Sequence, residues 1–390
     1  MDLSLTDEQL MIQKLVRDFA RDFVREELRG KEWISDPRER FPWKVVDRGF
    51  ELGLKALNVP KDFGGAEVDT LTLCLADEEL AAVDQGVAEI FDQEWNESRK
   101  IATIGTKEQK ESFFPKFLKE SRYFATTTFT EPAHGTDHWI PYEGTHLDTN
   151  ARLEGDEWII NGTKIFITMG SEASLFLCYA CTDPKRPMSE GTSVFMVPSN
   201  TPGIKVGAIY DKIAERFVNN AEIIYEDCRI PKENILGQLN KGMQQSDPRL
   251  AETNVEAASI ALGTARGAYE EALNYAKQRV QGGKPIIEHQ AIGMKLAEMV
   301  TMLEAARALI WKAAWSVQYM RPYDSRLHSM AKWYAADIGY KVSIAALEIF
   351  GGNGIIFRNN PIQKYVRDSL TMIHSDGTRE AHLLKIQKRL

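Results

Sequence analysis

Disulfides, membrane spans, nucleotide loops and basic patches are all missing from this sequence. Four cysteines among 390 residues are too few and too scattered for a disulfide framework. No apolar run reaches the roughly 18 residues of a membrane-spanning helix. No stripe of lysine and arginine marks a nucleic-acid surface, and the net charge is −8. No G-x-G-x-x-G follows a strand and no G-x-x-x-x-G-K-[ST] occurs, which argues against a Rossmann dinucleotide site and a P-loop. The opening Met1-Asp2-Leu3-Ser4-Leu5-Thr6-Asp7-Glu8 lacks the basic start and apolar core of a signal peptide and is too acidic for a transit peptide. A cytoplasmic location is therefore expected. Cys178 and Cys181 form a C-x-x-C, but they lie in an apolar run, 175–181, that reads as a buried strand. No second pair or nearby histidine completes a zinc site, so they are read as core cysteines and no metal is expected.

A 43% hydrophobic content over this length can fill two or three packed units. The first third reads as helical. Thr6-Asp7-Glu8-Gln9 is a capping box, and Met11, Leu15, Phe19 and Phe23 recur every four residues as one apolar helix face. Further helices are expected over 71–83, 87–104 and 107–119, with Pro42, Pro60 and Gly64-Gly65 in the loops. Near Phe124 the texture changes to short β-rich runs: 158–160, 164–168, 175–180, 192–197, 204–209 and 221–225. Asn161-Gly162 between the first two is a hairpin-turn signal. From Gly242 the pattern is helical again. Ala261, Ala265, Ala268, Ala272 and Ala276 give one face of small residues, suited to close helix contact. Helices are expected over 290–319 and 326–350, the second stopped by Gly351-Gly352-Asn353-Gly354. The expected fold is α+β: an N-terminal helical domain (1–122), a middle β-barrel or sandwich domain (123–238) and a C-terminal helical-bundle domain (239–390).

Four segments carry chemistry. Phe129-Thr130-Glu131-Pro132-Ala133-His134-Gly135-Thr136-Asp137 is the first, and Ile160-Asn161-Gly162-Thr163-Lys164-Ile165-Phe166-Ile167-Thr168 the second. The third runs from Arg279 through Gln290. The fourth is Phe350-Gly351-Gly352-Asn353-Gly354, then Arg367-Asp368 and Asp376-Gly377-Thr378. In this order and spacing they resemble the motifs of the acyl-CoA dehydrogenase family, along essentially the whole chain.

That resemblance implies an FAD enzyme that removes a proton and a hydride from a CoA thioester. A flavin ring is a flat apolar surface with polar edges. By resemblance, Thr130 and Thr136 present donors to it, Phe166 lies against its face and Thr168 reaches its N5 edge. Thr378 belongs to the same cofactor set, and Gly377 to the substrate set. Arg279, Gln290, Gly351 and Gly352 suit the pyrophosphate end. In the family these four come from a neighbouring subunit, so a homo-oligomer, most simply a homotetramer, is implied. Electron-transferring flavoprotein is the implied electron acceptor.

The family's catalytic base is a Glu before Gly-Thr; here it is Asp376, one methylene shorter. Asp92 stands on the expected helix 87–104, at a position that lines the acyl pocket by resemblance. It is either a solvated position beside Glu89 and Glu94 or a second proton acceptor for a compact acyl group. Gly282 replaces the third motif's aromatic. Asn254 stands where the family usually carries Arg, Thr253 where some branched-chain members carry a Glu base, and His134 where a small residue is usual. Asn254 and His134 are candidate substrate contacts. The two aspartates resemble those of cyclohexane- and cyclohexene-carboxyl-CoA dehydrogenases of anaerobic aromatic metabolism. Short- or branched-chain dehydrogenation, nitroalkane oxidation and a non-catalytic scaffold of the same fold are the alternatives.

Overall fold

In the computed structural model, residues 4–139, 144–320, 322–356 and 360–390 are described. The chain runs helices, sheet, helices. The first third holds α1 (Asp7–Asp18), α2 (Arg25–Leu28), α3 (Pro37–Arg40), α4 (Trp43–Glu51), α5 (Thr70–Ala81), α6 (Gln85–Ile104) and α7 (Lys107–Lys119). Reciprocal capping boxes start α1 (Thr6 with Gln9) and α7 (Thr106 with Gln109).

The apolar face of α1 is not the one the four-residue spacing marks. Met11 is 66% exposed and Leu15 38%. Ile12, Val16, Ala20 and Val24 go inside instead; of the marked residues, Phe19 is buried and Phe23 half-buried against the core. A strict step of four drifts about 40° per turn on a 3.6-residue helix, so the marked stripe spirals off the core. A π-helical stretch, Phe19–Val24, then resets the phase.

The middle of the chain is an eight-stranded sheet: β1 (Ala125–Thr128), β2 (Asn150–Glu154), β3 (Glu157–Thr168), β4 (Leu175–Cys181), β5 (Thr192–Pro198), β6 (Ile204–Ile209), β7 (Asn220–Pro231) and β8 (Ile235–Leu236). The short α8 (Met188–Gly191) precedes β5. Strand order is β6-β7-β3-β2-β4-β5-β8, with β1 parallel to β4. Trp158 on β3 meets Phe195 on β5 with ring centres 5.1 Å apart, although two strands separate them in the ladder. The sheet therefore bends around its own core. β4 is buried on both faces. Phe176, Cys178 and Ala180 face that core, while Leu175, Leu177, Tyr179 and Cys181 belong to the cluster that includes Phe113, Phe114 and Phe117 of α7. Cys178 and Cys181 thus point to opposite faces, as a strand's period of two requires. They are free, buried thiols.

Asn161-Gly162 is not a hairpin turn. β3 runs straight through it, and the chain reverses at Gly155-Asp156, with Gly155 at φ +62°. Gly162 sits at a register shift against β7, at φ +150°, where a Cβ would run into Thr149. Its glycine serves a bulge and a close approach.

The last third is α9 (Gly242–Gln278), α10 (Gln290–Tyr319), α11 (Ser325–Phe350), α12 (Ile362–His374) and α13 (Arg379–Gln387). The small face of α9 is buried throughout: Ala261, Ala265, Ala268, Ala272 and Ala276 are at most 2% exposed. Gly263 and Gly267 let α9 lie directly against Glu78 of α5 and Ala82. Gly351, at φ +57°, ends α11. Among the described residues no helix is long and apolar enough to cross a membrane.

Candidate active site

A cavity of about 750 Å³ opens where α6, β1, β3, the 129–136 loop, the start of α9 and the α12–α13 turn meet. Asp376, Gly377, Asp92, Thr130, Thr136, Phe166 and Thr168 all line it.

Asp376 sits on the α12–α13 turn, at φ +51° and followed by Gly377 at +93°. Two successive left-handed residues need holding, since a non-glycine residue there is strained by roughly 1–2 kcal/mol. Lys332 of α11, 1% exposed, does this from below. Its ammonium donates to the carbonyls of Met372 (2.5 Å), Ser375 (2.6 Å) and Gly377 (3.5 Å). The Nε2–H of His382, which is fully buried, donates to the Asp376 carbonyl at 3.0 Å. The Thr378 hydroxyl accepts from the Ala381 N–H and caps α13. The Asp376 side chain is exposed, but toward the cavity. Surrounding protein still pushes its carboxyl above the usual range, and the Lys332 ammonium opposes that push.

Asp92 reaches the cavity from α6, whose N-terminus is capped by the Asp84 side chain on Val87 N–H (3.0 Å). Glu89, Asp92, Gln93 and Asn96 fall at i, i+3, i+4 and i+7, so one helix face lines the wall with polar groups. Asp92 is 6% exposed and is no solvated surface residue. Asn96 Nδ2 donates to its Oδ2 at 2.8 Å, and Arg99 donates to Asn96 Oδ1 at 3.2 Å. Arg99 is in turn ion-paired with Glu252 (2.9 Å) and Glu256. Burial first, then the charges of Asp77, Glu256, Glu89 and Asp376, push Asp92 well above the carboxylate range. Glu89 and Glu215 line the same cavity, and burial pushes both upward too.

Opposite the carboxyl groups is an aromatic wall. The β3–β7 ladder is irregular between Lys164 and Ile167. Phe166 stands on that irregularity at φ +59°, 57% exposed, its ring 4.9 Å from Tyr210. Asn220 Nδ2 fixes the bend by donating to Phe166 O (2.8 Å) and Thr168 Oγ1 (3.2 Å). A flat apolar ring open to the cavity, with the hydroxyls of Thr130, Thr136 and Thr168 around it, fits a flavin. The 129–136 loop is anchored by Glu131 and Lys164, both fully buried side chains 2.8 Å apart. Lys164 also donates to Phe129 O (2.9 Å), and Glu131 accepts the N–H groups of Asp148 (2.7 Å) and Thr149 (2.9 Å).

Other expected site residues lie elsewhere. His134 is beside Gly135 but turns its ring to Asp137 (3.3 Å) and Asp148 (3.6 Å). Asn254 is buried in α9 next to Thr253, which does line the cavity. Arg279, Gln290, Gly351 and Gly352 are exposed and line no part of it. Arg279 follows Thr253 by 26 residues of helix, roughly 39 Å along the axis, so it cannot reach its own chain's cavity. The four do gather at one end of the bundle. Tyr275, one turn before Arg279, stacks on Phe350 (4.2 Å), and its hydroxyl accepts from Asn353 Nδ2 (2.9 Å), beside the glycines.

Sequence reasoning missed Glu89, Glu215 and Lys332. Glu89 was within reach, since it precedes Asp92 by one helical turn. Nothing local distinguishes Lys332 from any helix lysine.

A cavity lined by two aspartate carboxyl groups, with an open aromatic ring and threonine hydroxyls suited to a flavin, defines an oxidoreductase class. The chain matches the acyl-CoA dehydrogenase N-terminal domain over residues 6–121, the middle domain over 126–228 and the C-terminal domain over 240–390. It is 33% identical over 389 residues to an acyl-CoA dehydrogenase of Bacillus subtilis (strain 168), covering 100% of this chain and 99% of that one. Butyryl-CoA dehydrogenase from Megasphaera elsdenii superimposes with a TM-score of 0.91 at 32% identity, over 100% of this chain and 99% of that one. A chain solved in work on the electron transferring flavoprotein of Acidaminococcus fermentans gives a TM-score of 0.90 at 33% identity, over 100% of this chain and 99% of that one. The protein belongs to the acyl-CoA dehydrogenase family and is an FAD-dependent oxidoreductase.

Proposed function

We propose that this enzyme desaturates the CoA thioester of a compact, cyclic acyl group, with Asp376 as base and Asp92 as a second proton-transfer group. The observation that carries this is the pairing of the two carboxyl groups on one cavity. A pocket for a straight chain wants apolar walls, because burying polar groups without partners costs several kcal/mol. Here α6 presents seven polar or charged residues instead, Glu89, Asp92, Gln93, Asn96, Glu97, Arg99 and Lys100.

Thr130, Thr136, Phe166 and Thr168 would hold the flavin ring in this reading, and FAD held there would supply the hydride acceptor. Asp376 takes the proton beside the thioester carbonyl. The backbone N–H of Asp376 stabilises the enolate oxygen. The Lys332 charge favours the ionised form of Asp376, whereas burial and the surrounding carboxyl groups outweigh the pull of Arg99 and disfavour ionisation of Asp92. The two therefore divide the work: Asp376 rests as the base, and Asp92 rests closer to neutral. A 1,2-elimination needs Asp376 alone. A 1,4-elimination across a ring needs Asp92 to lose its own proton first, so it should quicken as pH rises.

Arg279, Gln290, Gly351 and Gly352 would reach the FAD of a second copy, in a homotetramer. Exposed Val280, Met294, Ile355 and Ile356 at the same end offer apolar surface for that contact. Electron-transferring flavoprotein is the proposed acceptor, supported by the Acidaminococcus match. A short straight acyl chain is the second reading, favoured by the likeness to butyryl-CoA dehydrogenase. Anaerobic mixing with cyclohexane-carboxyl-CoA, cyclohex-1-ene-carboxyl-CoA and butyryl-CoA, following loss of flavin absorbance, tests both. Bleaching by butyryl-CoA alone overturns the cyclic assignment.

A further inference from the structure

Lys332 is a buried ammonium directly behind the turn that carries Asp376. It is 1% exposed, and among the described residues it makes no ion pair within 4 Å. Its three hydrogen bonds all go to backbone carbonyls, and all three lie within the segment Met372–Gly377. Two of them belong to Met372 in the last turn of α12 and to Ser375 just after the helix, where the helix dipole already favours a cation. The third belongs to Gly377, immediately beyond Asp376.

We propose that Lys332 is the positioning residue of the catalytic base: it clamps the left-handed turn that carries Asp376 and supplies the positive charge against which that carboxylate ionises. The inference rests on Asp376 being the base. The geometry serves both roles at once. A turn with two successive positive φ angles has no internal ladder to hold it. A lysine reaching it from α11, which is packed against both α12 and α13, ties it to the rigid part of the bundle. The hydrogen bonds leave the ammonium charge uncompensated, so it acts on whatever carboxyl groups stand near.

Those groups are Asp376 on the turn, Glu89 on α6 and Glu215 ahead of β7. On α13, His382 is held neutral by burial and by the Lys332 charge, its pKa pulled down to about 3. It adds no charge of its own at neutral pH. Lys332 pays for burial by falling to about 8, the three carboxyl groups resisting the fall. Lys212 adds a second cation near Glu89 and Glu215, while Lys332 is the charge that opposes burial at Asp376. Turnover should therefore have an acid limb set by Asp376 and held low by Lys332.

The test uses the FAD-loaded enzyme and whichever acyl-CoA bleaches it. Lys332→Gln keeps a donor and removes the charge; Lys332→Arg keeps the charge. Flavin content and oligomeric size serve as controls of folding. For Lys332→Gln the acid limb of the bleaching rate should move up by about one pH unit or more, with KM changed less than about twofold. For Lys332→Arg the limb should stay at the parent's position. An unmoved limb in Lys332→Gln, or a limb in Lys332→Arg displaced as far as in Lys332→Gln, overturns the inference. Asp376→Asn is measured alongside. If it keeps full turnover, the base assignment falls and this inference with it. If it is inactive while Lys332→Gln is unshifted, the inference alone falls.

Discussion

Replacing Lys164 by methionine should damage flavin binding from a position that touches no flavin. Lys164 and Glu131 are both fully buried and 2.8 Å apart. Burial alone would raise the Glu131 pKa, but the Lys164 charge and the Thr149 hydrogen bonds outweigh it and hold the carboxyl below its usual range. Lys164 is also lowered, by burial, so the desolvation penalty sits on the lysine. Lys164→Met leaves Glu131 charged and buried with only backbone donors, or forces it to take up a proton. Breaking one side of a buried pair typically destabilises by about 3–5 kcal/mol. Phe129 O loses its partner as well, and Phe129 to Thr136 is the loop that carries two of the cavity hydroxyls proposed to face the flavin. Thermal unfolding and flavin retention after dialysis are the assays. The variant should melt earlier and release FAD more readily. The double variant Lys164→Met/Glu131→Gln should recover most of the stability, because no orphan charge remains. A single variant as stable as the parent, or a double variant worse than the single, refutes the reasoning.

His328 and His382 are buried with pKa values pulled down to about 3, first by burial. Unfolding would return them to about 6.5, so the unfolded chain binds more protons between those values and stability is lost as pH falls from about 6.5 toward 3. Two such groups give a slope of roughly 2.7 kcal/mol per pH unit, an order-of-magnitude figure, readable by denaturant unfolding at stepped pH; a flat profile would contradict it. Gly162→Ala should lower the melting temperature and the yield of FAD-loaded protein, because the φ of +150° and the contact with Thr149 leave no room for a Cβ; an unchanged melting curve would show that the strand relaxes freely. Arg279→Ala should speed FAD release, as read by flavin fluorescence on dilution, with the melting of the apoprotein unchanged; undisturbed FAD affinity would count against a cross-subunit contact.

Element existence was legible wherever the apolar period was long. Helices 290–319 and 325–350 fall within a residue of their expected bounds. The failures came where two signals competed. Asn161-Gly162 has the composition of a turn, yet the buried Trp158, Ile159, Ile160 and Ile167 on either side keep β3 continuous, and the glycine is needed for Thr149 to approach. In α1, a spacing of four was mistaken for the true 3.6. Asp92 could be placed on a helix but not on a face, because Glu89 and Glu94 beside it look equally like solvent residues; Glu94 is in fact paired with buried Lys55 at 3.1 Å. Lys332 was illegible, since what it touches is backbone 40–45 residues later.

The central claim is that two aspartates share one cavity and act on a compact cyclic thioester. Asp92→Asn tests it most directly, since the amide keeps the size and the contact with Asn96. With flavin content held equal, the variant should lose on the order of 100-fold in the rate of flavin bleaching by the cyclic acyl-CoA, a typical loss for a proton-transfer group. Asp376→Asn should abolish 1,2-elimination to a similar degree. If Asp92→Asn bleaches at the parent's rate with every active thioester, Asp92 takes no part in the chemistry and the cyclic assignment fails.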